Sequence, residues 1–126
     1  MHIRIGHSTA FDFKTELYAP LRAMALPPDV VLSLPHETTD AGSCTLSFFE
    51  DGCALFIAEV SYASTGLGME IGYADLLGIP VVCIHRSDMK PSSSLQRVAK
   101  KFLAYDTAEE LQEHVSALLQ ELPHKA

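Results

Sequence analysis

Cysteine is scarce in this sequence, and what there is does not pair. Cys44, Cys53 and Cys83 are odd in number, form no C-x-x-C unit, and two of them lie in or beside apolar runs. That argues against a disulfide framework and a catalytic thiol arrangement, and core packing in a reducing, cytoplasmic setting is expected. Basic residues are also few, nine Lys and Arg against sixteen Asp and Glu, for a formal net charge of -7. Such a balance argues against a nucleic-acid polymer or an anionic membrane as partner, leaving room only for a local basic pocket. No apolar stretch approaches the roughly 20 residues of a membrane span. Met1-His2-Ile3-Arg4 runs straight into a strand pattern and a polar loop, so no signal peptide is expected. The G-x-S-x-G elbow, the P-loop and H-E-x-x-H are all missing, as are internal repeats, low-complexity tracts and linkers.

What remains is an ordinary globular composition, 48% hydrophobic and 20% charged over 126 residues, enough for one domain spanning residues 1–126. His2 to Gly6 reads as a strand. A helix is expected from about Asp12 to Met24, because Phe13, Leu17, Leu21 and Met24 recur at helical spacing, with a kink or break at Pro20. Val30 to Leu32 is a second strand, and Ala54 to Val60 a third whose continuous apolar character suits burial on both faces. A helix from about Leu67 ends at Gly78, placed as a C' glycine. Ile79 to Ile84 and Phe102 to Tyr105 complete the strands, separated by Ser92-Ser93-Ser94 and a short helix from Leu95 to Lys100. Asp106 or Thr107 caps a last helix whose apolar face is Leu111, Val115, Leu118, Leu119 and Leu122. Strands alternate with helices, so the fold class is α/β: a flavodoxin-like or Rossmann-type three-layer sandwich around a five-stranded parallel sheet.

In such a fold the loops after the strands carry the chemistry. The segment after the third strand, Ser61-Tyr62-Ala63-Ser64-Thr65-Gly66-Leu67-Gly68-Met69-Glu70, joins hydroxyls, glycines and one carboxylate. Gly66 and Gly68 would allow close approach and positive φ. The first amides of the helix form an anion site, and Ser64 and Thr65 either cap the helix or donate to the same anion. Glu70, read as a first-turn residue, is favoured in its ionised form by the helix dipole; it is a nucleophile, a sugar ligand or merely a capping partner. His7, Ser8, Thr9, His36, Glu37, Glu59, Ser61, His85, Arg86 and Ser94 should gather at the same sheet edge. The spacing of His7, His36 and His85 matches no zinc pattern, and neither metal nor cofactor is implied.

The stretch G-L-G-M-E-I-G-Y-A, Gly66 to Ala74, preceded by Ala58-Glu59-Val60-Ser61 and Ser64-Thr65, resembles the nucleoside 2-deoxyribosyltransferase family. That superfamily includes the 2'-deoxynucleoside 5'-monophosphate N-glycosidases. The likeness extends more weakly over most of the chain. It implies a flavodoxin-like fold, a homodimer or higher homo-oligomer, and Glu70 as the nucleophile that attacks C1' of deoxyribose. The residue six before the glutamate is Ser64, as in the monophosphate N-glycosidases, where transferases acting on free nucleosides carry an aspartate. A hydroxyl donates to a 5'-phosphate that a carboxylate would repel. Ser94 matches a phosphate-contacting serine supplied by the neighbouring subunit in those glycosidases.

The resemblance therefore implies cleavage or transfer of the N-glycosidic bond of a 2'-deoxynucleoside as its 5'-monophosphate. Ser64, Gly66, Gly68 and Ser94 would hold the 5' end, and His7, Ser8, Phe11 and His36 would shape the base and sugar pocket. The sequence departs from the family where a base-protonating aspartate is usual: Leu46-Ser47-Phe48-Phe49 has none. Asp40 is the candidate acid, with Glu37, Glu50 and Asp51 as substitutes. Ala54 replaces a common strand-start aspartate, and the first loop, His7-Ser8-Thr9-Ala10-Phe11, lacks the family's basic residue. The alternative is a nucleotide-binding or sensing domain that kept the loop and lost the chemistry.

Overall fold

A computed structural model describes residues 1–37 and 52–122. Among the described residues the sheet has five strands: β1 (His2–His7), β2 (Val31–Ser33), β3 (Cys53–Glu59), β4 (Val81–Arg86) and β5 (Lys101–Tyr105). All neighbours pair parallel, in the order β2-β1-β3-β4-β5. This is the flavodoxin-like order, and the chain reverses its direction of travel across the sheet between β1 and β3. The carboxyl ends of those two strands thus open a crevice.

Both faces of the sheet are covered, which explains the unbroken apolar runs. Ile3 and Ile5 of β1, Leu55 and Ile57 of β3, and Val82 and Ile84 of β4 point to one face. They pack there on Leu17, Leu21, Leu111, Val115 and Leu118. The alternate residues Phe56, Ala58, Val81 and Cys83 point to the other, against Leu67, Ile71 and Ala74. Arg4 shares the parity of this second face and is 6% exposed, a guanidinium set into an apolar layer. Gly6 lies beside it for a steric reason. A Cβ there would stand 2.5 Å from the Phe56 ring and 2.9 Å from Leu67 Cδ1, so only glycine lets the helix close over β1.

The expected first helix is irregular. It opens as a π-helical turn, Lys14–Tyr18, and continues as α1, Ala19–Arg22. Asp12 starts it, its Oδ1 accepting from Thr15 N at 3.3 Å. The break expected at Pro20 takes the form of this widened turn, because proline offers no amide and its ring crowds the carbonyl one turn back.

The second helix, α2 (Thr65–Leu76), begins two residues earlier than the sequence pattern suggests, because Ser64 is its N-cap. It ends as expected: Gly78 has φ +75°, and Gly78 N and Ile79 N donate to Asp75 O and Ala74 O. That pair of bonds is a Schellman closure. A 3-10 turn covers Ser93–Arg97. The last helix, α3 (Ala108–Glu121), starts from Thr107, whose hydroxyl accepts from Glu110 N. Among the described residues no helix is long and apolar enough to cross a membrane.

Candidate functional site

The loop between β3 and α2 is pinned from beneath by a buried carboxylate. Glu59 ends β3 and is 1% exposed. Ser61 N donates to it at 2.6 Å, Ser61 Oγ at 3.0 Å, and the Tyr105 hydroxyl donates from the end of β5. Ser61 Oγ in turn accepts from Arg86 N at 2.8 Å, and the Arg86 guanidinium pairs with Glu16 at 2.6 Å. Burial and the neighbouring Glu59 raise the Tyr105 phenol well above its usual range. Glu59, Ser61 and Arg86 gather at the expected edge, but these polar groups are spent on one another. Their work is to fix where the loop leaves the sheet.

From that anchor the loop and α2 border a cleft of about 590 Å³. Its walls include Tyr62, Ser64, Thr65 and Gly68 on one side and Lys90, Ser92 and Ser94 on the other. Ser64 and Ser94 therefore line one cleft within a single chain. Ser64 does cap the helix, its Oγ accepting from Leu67 N at 3.3 Å, and its hydroxyl hydrogen stays available to an anion. Gly66 and Gly68 do not adopt the positive φ expected of them; among described glycines only Gly52 and Gly78 do. Both lie in the helix, and a Cβ at either would meet nothing within 4 Å. Gly68 lines the cleft and supplies open space there rather than backbone freedom, whereas Gly66 is not among the residues that wall it.

A second group lies at the ends of β1 and β2. His7, Phe11, Phe13, Tyr18 and His36 form an aromatic cluster, with His7 and His36 ring centroids 5.4 Å apart. Phe11 stacks on Tyr62 at 5.3 Å with the rings 17° from parallel, so Tyr62 links this cluster to the cleft. His7 is already saturated. A carbonyl can only accept, so Nδ1 carries the hydrogen toward Ser8 O at 2.8 Å. Nε2 then accepts from the Tyr18 hydroxyl at 2.6 Å, and that hydroxyl accepts from His36 N at 3.0 Å. Burial lowers the His7 pKa, keeping the ring neutral as this chain of bonds requires. It can offer a ligand its ring and no free nitrogen. Ser8 is buried and its Oγ accepts from Ala10 N at 3.0 Å, a local turn bond.

Glu70 stands on the flank of α2 that faces β1. It is the sixth helical residue counted from Thr65, not a first-turn residue, so the helix dipole does not account for its ionisation. Its side chain is 20% exposed, and its Oε1 lies 3.9 Å from the Arg4 guanidinium. Oε2 is buried and has no hydrogen-bond partner among the described residues. Burial raises the Glu70 pKa and Arg4 opposes that rise.

The candidate acids divide. Asp40 lies outside the described residues, with Glu50 and Asp51. Glu37 is held by Arg22, through a bond from Arg22 Nε at 2.8 Å, and this bond lowers its pKa. A carboxylate kept ionised in this way is a poor proton donor, so Glu37 is set aside. Among the described residues no group of three His, Cys, Asp or Glu converges as a metal site would require. Sequence reasoning missed Arg4, Tyr18, Tyr62 and Lys90. Only Arg4 carried a signal, a charge between Ile3 and Ile5 in a strand pattern otherwise apolar.

No family model matches the chain. A curated protein of Methanococcoides burtonii named "Putative 2'-deoxynucleoside 5'-phosphate N-hydrolase 1" is 44% identical over 50 residues, which covers 40% of this chain and 40% of that protein. The matched stretch thus spans well under half the relative's length. Among solved structures, the CMP N-glycosidase BcmB of Clostridium botulinum superposes with a TM-score of 0.61 at 18% identity, covering 92% of this chain and 99% of that one. At that identity the likeness is one of fold.

Proposed function

We propose that this protein is an enzyme that breaks the N-glycosidic bond of a 2'-deoxynucleoside 5'-monophosphate, with Glu70 as nucleophile. The observation that carries the reading is Glu70 itself. A desolvated carboxylate with one oxygen lacking a hydrogen bond among the described residues stands one and a half turns along α2 from Ser64, the cap residue that lines a hydroxyl-rich cleft. That rise is about 9 Å, which a phosphorylated pentose spans. The relatives' names, an N-hydrolase and an N-glycosidase acting on nucleotides, support it.

The 5'-phosphate would sit against the first amides of α2, the Ser64, Thr65 and Ser94 hydroxyls and Lys90. The stacked Phe11–Tyr62 pair and the rings of His7 and His36 would flank the base and sugar. In the first displacement a Glu70 oxygen bonds to C1' as the C1'–N bond breaks; its electron pair leaves on the base, which takes a proton from an acid, here assigned to Asp40. In the second, water bonds to C1', the Glu70 ester bond breaks with its electrons returning to the carboxylate, and the proton of water passes to the same group. A second base in place of water would give transfer.

We further place the protein in the cytoplasm as a homo-oligomer. Cys53 and Cys83 are free and buried. The outer face of α2 exposes Met69, Tyr73, Leu76 and Leu77, an apolar stripe that a second copy would cover.

Incubation with a panel of 2'-deoxynucleosides and their monophosphates, with and without an acceptor base, tests the activity. Base release should favour the monophosphates and vanish in Glu70→Ala while the fold persists. Nucleotide binding without any Glu70-dependent release would refute the enzyme and establish the binding-domain alternative.

A further inference from the structure

The sequence lacks the family's basic residue in its first loop, yet a cation stands against Glu70 from below. Arg4 projects from the middle of β1 into the layer beneath α2, its side chain 7% exposed. Its Nη1 is 3.4 Å from Ser33 Oγ of β2, and its Nη2 is 3.9 Å from Glu70 Oε1. A guanidinium in such a layer is costly unless an anion answers it. The same is true of Glu70. The pairing of β1 with its neighbours sets the guanidinium beneath α2, where it meets the Glu70 carboxylate.

We propose that Arg4 is a positioning residue for Glu70: it holds the carboxylate ionised and turned, one oxygen toward the guanidinium and the other left for the substrate. The inference rests on Glu70 being the nucleophile. In the first displacement a protonated Glu70 could not form the bond to C1'. In the second, the same guanidinium stabilises the carboxylate as the ester bond breaks and the electron pair returns to its oxygen, so that Glu70 leaves readily when water takes C1'.

Among the described residues, three other titratable groups bear on the pair. Tyr18, from the π-helical turn, feels both charges, and its phenol is raised chiefly by burial. His7, at the end of β1, has its pKa lowered chiefly by burial, with Arg4 the smallest of the causes. Cys53, on β3, is raised by burial, with its nearby contacts to Arg4 lowering it in part. None supplies a second positive charge to Glu70, so its titration should report Arg4.

The test reads Glu70 directly, without substrate. Protein labelled with 13C at the glutamate carboxyls is titrated by NMR, and Glu70→Gln identifies the signal. In Arg4→Gln, which keeps a polar group for Ser33, the Glu70 signal should titrate about one pH unit or more higher than in the parent. Arg4→Lys, which keeps the charge at a shorter reach, should bring it back only part of the way, leaving it above the parent. If Arg4→Gln does not fold, Arg4→Met, which suits the apolar layer, takes its place. If neither folds, the comparison rests on Arg4→Lys, whose shorter reach should leave Glu70 titrating above the parent.

A Glu70 signal that titrates at the parent pH in every folded Arg4 variant overturns the proposal. With a 2'-deoxynucleoside 5'-monophosphate, kcat/KM of Arg4→Gln at pH 5 should fall about tenfold further below its plateau than that of the parent. If the titration moves while even the parent releases no base, Arg4's hold on Glu70 stands and the N-glycosidase reading falls.

Discussion

Gly6→Ala adds one methyl group at the point where α2 closes over β1, and it should be far more damaging than its size suggests. The new Cβ would lie 2.5 Å from both Phe56 Cε1 and Cζ and 2.9 Å from Leu67 Cδ1. Carbon atoms pack best at about 3.5–4.0 Å, so roughly 1 Å of relief must be found. Phe56 cannot give it cheaply, since its side chain is fully buried at the centre of the sheet. Leu67 is 5% exposed and belongs to the first turn of α2, so the cheaper response is for the helix start to lift. Overpacking of this kind costs about 1–3 kcal/mol, and two blocked directions place Gly6→Ala in the upper half of that range. For a domain of this size the fall in Tm should be about 10 °C. Urea unfolding should show a lower midpoint at an unchanged slope. Base release should fall as well, because a lifted helix start draws Glu70 away from Arg4. A variant within about 0.5 kcal/mol of the parent would refute the close approach of β1 and α2, and with it the account of why this position is glycine.

Tyr18→Phe removes the hydroxyl that donates to His7 Nε2 and accepts from His36 N, stranding an acceptor and a donor at once. Stability should drop by about 2–4 kcal/mol, measured by urea unfolding; a neutral result would mean that His7 is not held as argued. Leu76→Lys alters a residue that is 80% exposed and should leave the folded chain's stability within about 0.5 kcal/mol. If the outer face of α2 joins two copies, size-exclusion chromatography should show this variant smaller than the parent, and coincident elution of both as monomers would remove that face as an interface.

Much of the chain was legible because its signals are local. The Gly78 closure and the Thr107 cap are each written within a few neighbouring residues, and both formed as read. Where the local signal was mixed, boundaries slipped. Ser64 could cap a helix or bind an anion, and its capping role moved the start of α2 to Thr65, which carried Glu70 out of the first turn. The charged ends of the strands were placed at the right edge, yet Glu59 and Ser61 satisfy each other, and Glu37 answers Arg22. Burial and partners decide whether a polar residue is free to act, and neither is a property of its own segment.

The sequence by itself determined that strands and helices alternate, that the sheet is parallel, and that one continuous segment carries Ser64, Gly66, Gly68 and Glu70. Helix period, apolar runs and capping are short-range, so composition and spacing suffice to express them. Only the tertiary structure decided that β1 lies between β2 and β3, that Ser94 shares a cleft with Ser64, and that Arg4 faces Glu70. Each of these depends on which strands become neighbours. That choice is made by the packing of both sheet faces at once, through contacts between residues far apart in the chain, and no single stretch records it.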